Sequence, residues 1–81
     1  MPEIAYVSVV VEILRKTAPT IVGALDDHDK SLFDLGLDSL DHAAAMLALE
    51  EKYEIKIPDA DIDGLTSINQ IATYLEQRLG A

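Results

Sequence analysis

Two segments of this chain repeat apolar residues at helical spacing, and none alternates long enough to build a sheet. Near the start, Ile4, Val7, Val11 and Leu14 form one row, with Tyr6, Val10 and Ile13 as a second. The β-branched run Val9-Val10-Val11 leans towards strand. Strict alternation fails there, however, and Glu12 and Lys16 make a favourable i,i+4 pair, so the spacing predicts a helix over 3–16. Near the end, Ser67 and Gln70 form a capping box. Ile68, Ile71, Ala72, Leu75 and Leu79 then give one apolar stripe, and Gly80 closes a helix over 67–79. Between them, Asp38 is a good N-cap and Ala43 to Glu50 are mostly strong helix formers. Pro58 stops that helix before Ile55-Lys56-Ile57, so it should cover 39–53. A short turn of helix is expected over 59–65. The expected fold is all-α: a small four-helix bundle of three main helices plus one short helix, with a long first loop over 17–38. Ile21, Leu25, Leu32, Phe33 and Leu35 should pin that loop to the core.

With 81 residues there is room for a single domain, 1–81, and one core of modest stability. The balance of 15 acids against 6 bases, net −9, excludes a nucleic-acid binder, which needs Lys and Arg against phosphate. The same balance disfavours an anionic membrane surface. Ile4 to Leu14 is too short to span a bilayer, so no membrane insertion is expected. With no cysteine, thiolate metal sites and thiol nucleophiles are absent. A monomer in the cytoplasm, meeting basic partners, is the expectation.

The helix over 39–53 has two apolar faces. Ala45, Met46, Leu49 and Tyr53 make the bulkier one and should face the core. Leu40, Ala43, Ala44 and Leu47 lie opposite, edged by Asp41, Glu50, Glu51 and Glu54. From Asp34 to Asp63, nine acids and two bases supply −7 of the total −9. An apolar pair rimmed by carboxylates reads as a docking surface for a basic, partly apolar partner. The competing reading is ordinary exposed leucines, or leucines covered by the loop.

Leu35-Gly36-Leu37-Asp38-Ser39-Leu40 is the sharpest local feature. Gly36 allows a tight turn that leaves Ser39 at the mouth of a helix. Unpaired N–H groups and the helix dipole there favour a phosphate ester on the hydroxyl, while the Asp38 charge opposes one. A catalytic serine would need a base and an oxyanion hole, and no nucleophile-elbow pattern surrounds Ser39. On these residues alone, a plain capping serine is an equal alternative.

Asp34-Leu35-Gly36-Leu37-Asp38-Ser39-Leu40-Asp41 resembles the attachment motif of the acyl carrier protein family. Leu49-Glu50-Glu51-Lys52-Tyr53-Glu54-Ile55-Lys56-Ile57-Pro58-Asp59 is similar to that family's second-helix end and following loop. Thr66-Ser67-Ile68, Ile71-Ala72 and Tyr74-Leu75 resemble its last helix. The resemblance implies that Ser39, with Asp38 as motif neighbour, takes a 4′-phosphopantetheine arm from coenzyme A. It further implies a non-catalytic carrier of acyl thioesters in fatty acid, lipid or polyketide biosynthesis. Its partners would be a phosphopantetheinyl transferase and acyl-loading and acyl-transfer enzymes with basic docking surfaces. Ala43-Ala44-Ala45 departs from the family pattern of a bulky aliphatic, a carboxylate and a bulky aliphatic, which points to a specialised member.

The alternative is an acidic, non-covalent interaction module. Asp59-Ala60-Asp61-Ile62-Asp63-Gly64 matches the first half of an EF-hand loop. Gln70 stands where the bidentate Glu is required, and Pro58 leaves no entering helix, so at most a weak divalent site at Asp59, Asp61 and Asp63 is expected. His42, one turn after Ser39, reads as a partly buried structural residue or as a group near where an arm meets the core.

Overall fold

The computed structural model describes residues 4–18 and 27–80. Helix α1 covers Ile4–Thr17, α2 Ser39–Tyr53, α3 Asp59–Ile62 and α4 Ile68–Leu79. No strand occurs among the described residues. Expected residues Glu3, Ile21 and Leu25 lie outside them. Helix α1 packs against both α2 and α4. The buried centre of α1 is Val10 and Leu14, with Val7, Val11 and Ile13 half-buried, so the stripe draws on both apolar rows. Ala45, Met46 and Leu49 of α2 and Ile68, Ile71, Ala72 and Leu75 of α4 complete the interior. Tyr53 closes it at one end, its ring 6.2 Å from that of Tyr6.

Helix α3 ends at Ile62, three residues earlier than expected, and buries none of its residues. Ile62 carries its only large aliphatic chain, so α3 has little apolar surface with which to extend. Leu65, just beyond it, is buried as part of the connection. At α4, Ser67 is the cap rather than the first helical residue, and its box with Gln70 is complete. The Gln70 carboxamide oxygen also accepts from the Thr66 N–H and hydroxyl, at 3.0 and 2.9 Å.

The end of the long connection is the part that positions α2. Leu32 is fully buried, and its N–H donates to Thr66 O at 2.7 Å. Its carbonyl accepts from Leu35 and Leu37, both at 3.0 Å, which folds residues 32–36 into turns. Gly36 sits at φ 109°, a conformation that a Cβ would strain. Asn69 of α4 holds the same segment from behind, donating to His28 O at 2.9 Å and to the Asp29 carboxylate at 2.6 Å. Phe33 departs from expectation. Instead of pinning the loop to the core it is 41% exposed and leans on the His42 ring, centroids 5.1 Å apart. Leu32 fills the interior position, so the next side chain faces out.

Candidate functional site at the start of helix α2

Helix α2 begins where the anchored turn delivers it. Asp38 is extended, at φ −95° and ψ 174°, and its carboxylate accepts from the Asp41 N–H at 2.8 Å. The Asp38 carbonyl takes the His42 N–H at 3.0 Å. The N–H groups of Ser39 and Leu40 have no acceptor among the described residues. Ser39 is exposed, and its hydroxyl makes no hydrogen bond there. A free hydroxyl at a helix N-terminus, with two unpaired N–H groups beside it, suits a phosphodiester. The Asp38 charge that would oppose one is turned into the cap.

His42 is 7% exposed, and its Nε2 lies 2.7 Å from Leu65 O. A carbonyl oxygen only accepts, so Nε2 carries the hydrogen. The ring therefore fastens α2 to the connection ahead of α4, which is a structural use of this residue.

The two faces of α2 divide as expected. Ala45, Met46 and Leu49 are buried. Leu40 is 79% and Leu47 55% exposed, with Ala43 and Ala44 exposed between them, so nothing in the described residues covers this face. Glu51 and Glu54 are exposed and Asp41 is half-buried. Glu50, expected on the rim of this face, has a local partner as well. It is half-buried, and its carboxylate accepts from the Ile57 N–H at 2.8 Å. Beside it Glu54 takes a left-handed conformation at φ 54° and closes α2 by donating its N–H to Glu50 O. Glu50 thus ties the helix end to buried Ile57. Glu50→Ala is expected to cost about 1–3 kcal/mol in denaturant melts, as a part-buried N–H loses its charged acceptor. Exposed Glu51→Lys should stay within about 0.5 kcal/mol of wild type in the same melts. Equal stability losses would show that Glu50 contributes nothing through Ile57.

Asp59, Asp61 and Asp63 do not form the EF-hand loop. Pro58 caps α3 and the segment winds into helix. Asp61 is engaged instead, accepting from the Tyr74 hydroxyl at 2.9 Å. Arg78 donates to that same hydroxyl at 2.6 Å and to Lys56 O at 2.7 Å, clamping α3 and the α2–α3 connection to α4. Burial and the Asp61 hydrogen bond raise the Tyr74 phenol above its ordinary value, despite the opposing pull of Arg78. Among the described residues, no cluster of three or more His, Asp or Glu side chains converges as metal ligands would.

The family model described as the phosphopantetheine attachment site matches residues 8–75 of this chain. The acyl carrier protein of Campylobacter concisus (strain 13826) is 46% identical over 48 residues, 59% of this chain and 62% of that protein. That of Campylobacter fetus subsp. fetus (strain 82-40) is 43% identical over 53 residues, 65% of this chain and 69% of that protein. That of Campylobacter hominis is 49% identical over 47 residues, 58% of this chain and 60% of that protein. No helix among the described residues is long and apolar enough to cross a membrane. With a family match over most of its length, and α2 starting on a capped Asp-Ser step, the chain belongs to the phosphopantetheine-binding acyl carrier protein family, whose prosthetic group is covalently attached 4′-phosphopantetheine.

Proposed function

We propose that the chain carries acyl groups on a 4′-phosphopantetheine arm joined to Ser39 through a phosphodiester, and that it is not itself a catalyst. The carrying observation is the exposed, unpartnered Ser39 hydroxyl at the capped start of α2. When bound, the arm supplies the thiol that holds an acyl group as a thioester, in a chain with no cysteine of its own. The protein's part is positional. The Leu32 turn and Gly36 aim the chain at Asp38, Asp38 caps α2, and Ser39 is left open to solvent. The outer face of α2 then serves as the docking surface for a phosphopantetheinyl transferase and for acyl-loading and acyl-transfer enzymes, with Leu40, Leu47, Asp41, Glu51 and Glu54 as its contacts. Glu50 supports that face from behind.

The reading extends to a specialised, monomeric carrier of the cytoplasm, working in fatty acid, lipid or polyketide biosynthesis. Ala44 is exposed on the docking face without a charge, and buried Ala45 lies beside Met46 and Leu49. Both depart from the pattern of a general carrier. Ala44→Glu should raise use by a general acyl-carrier synthetase by about 1 kcal/mol or less, the worth of one exposed charge. The attachment site is tested by incubating the apo chain with coenzyme A and a phosphopantetheinyl transferase, then mapping the modified peptide by mass spectrometry. The arm is expected on Ser39, and an arm on Ser31 or Ser67 would overturn the assignment.

A further inference from the structure

Three large apolar side chains stand exposed among the described residues: Leu40, Leu47 and Phe33. The leucines belong to the outer face of α2, and Phe33 does not. At about 100° per residue, Leu47 lies about 80° and Leu40 about 100° to one side of Ser39, and His42 lies about 60° to the other. The Phe33 ring rests on the His42 side, centroids 5.1 Å apart. Ser39 therefore stands on the boundary between the apolar outer face and a separate aromatic wall. We propose that this wall, the exposed face of Phe33 backed by His42, is the resting seat of the prosthetic arm, and that it takes the arm's gem-dimethyl segment.

The wall is built as a fixed support. Leu32, just before Phe33, is fully buried and donates its N–H to Thr66 O at 2.7 Å. The Phe33 carbonyl accepts from the Gly36 N–H at 3.2 Å. His42 is held from behind by the 2.7 Å contact of its Nε2 with Leu65 O. A ring braced in this way has little freedom left to lose when it is covered. It is nonetheless 41% exposed, which leaves apolar surface in water. The chemistry of the arm selects the segment that covers it. Just past the phosphate and a methylene, the arm carries a quaternary carbon with two methyl groups, its most apolar part near the attachment point. The hydroxyl and amides beyond it favour water. Methyl groups laid on an aromatic face bury apolar surface on both partners. The tether at Ser39 makes the contact intramolecular, so a weak attraction is enough to populate it. An arm at rest on Phe33 also leaves Leu40 and Leu47 open to a partner enzyme. The seat rests on the carrier reading.

The wild-type and Phe33→Leu chains are loaded with coenzyme A and a phosphopantetheinyl transferase, and the position of the arm is checked by mass spectrometry. The methyl protons of the arm are then read by NMR. In the wild-type chain they are expected upfield of their position in free coenzyme A, through the ring current of Phe33, with nuclear Overhauser contacts to the Phe33 ring protons. Phe33→Leu keeps apolar bulk but removes the ring, so the upfield shift should be lost with the arm still on Ser39. Methyl protons at the free coenzyme A position on a loaded wild-type chain, or contacts to Leu40 and Leu47 instead, would overturn the seat and leave the carrier reading standing. A wild-type chain that takes no arm on Ser39 would overturn the carrier reading, and the seat with it. The Overhauser contacts are read on the wild-type chain alone, so they decide the question even where Phe33→Leu fails to fold.

Discussion

Ser39→Ala is expected to take up no phosphopantetheine under conditions that load the wild-type chain to completion, and to keep its fold. The first effect is all-or-none, because among the described residues no other hydroxyl offers the same combination. Ser67 is buried and its hydroxyl accepts from the Gln70 N–H, so it is occupied by its own cap. Ser31 lies in the anchored turn region rather than at a helix start. The second effect is small because the Ser39 hydroxyl has no partner to lose and alanine suits a first helical turn. A surface change of this kind stays within about 0.5 kcal/mol, or a shift of about 4 °C or less in Tm for a domain this small. Asp38→Ala is the instructive contrast. It removes the bond from the Asp41 N–H and should lower Tm by about 4–8 °C, since a lost cap costs about 1 kcal/mol. Intact mass spectrometry and thermal melts on the three proteins decide the matter. A Ser39→Ala chain that still gains the arm would place attachment elsewhere.

The contrast also shows which parts of the site could be read from sequence. Local chemistry was legible: the Asp38 cap, the Ser67–Gln70 box, the Pro58 stop and the inner face of α2 all follow from neighbours within one or two turns. Contacts between distant segments were not. Nothing in the spacing says that Glu50 reaches the Ile57 N–H, that His42 reaches Leu65 O, or that Tyr74, Asp61 and Arg78 clamp α3. Each is a polar side chain used against a segment whose position only the tertiary fold sets. The Glu50 case has a faint signal in hindsight. Ile57 precedes Pro58 on an extended stretch, so its N–H has no helical acceptor and a carboxylate at the helix end is well placed to serve. Phe33 misled for a related reason. Leu32 and Leu35 flank it, and only the bond from Leu32 to Thr66 fixes which member of the run turns inward.

Leu75→Ala should be strongly destabilising, as a truncation of one of the fully buried side chains of α4. Leu75 is fully buried among side chains of a core that draws on α1, α2 and α4. Cutting a buried leucine to alanine costs about 2–5 kcal/mol, through lost burial and the cavity left behind. A chain of this length has a total stability on the order of 4–12 kcal/mol, so the variant gives up a large fraction of it. At about 4–8 °C per kcal/mol, Tm should fall by roughly 10 °C or more. Leu47→Ala removes the same atoms from a side chain that is 55% exposed, and should stay within about 0.5 kcal/mol of wild type. Function should divide the other way. Leu75→Ala molecules that are folded keep the start of α2 and should be loaded at near the wild-type rate per folded molecule. Leu47→Ala is expected to be fully folded but to lack one leucine of the proposed docking face, so its loading should slow through weaker association. Equilibrium urea melts and initial loading rates at a fixed transferase concentration separate the two. If Leu47→Ala lost as much stability as Leu75→Ala, the outer face of α2 would be packed against the chain itself, and its assignment as a surface for partners would fail.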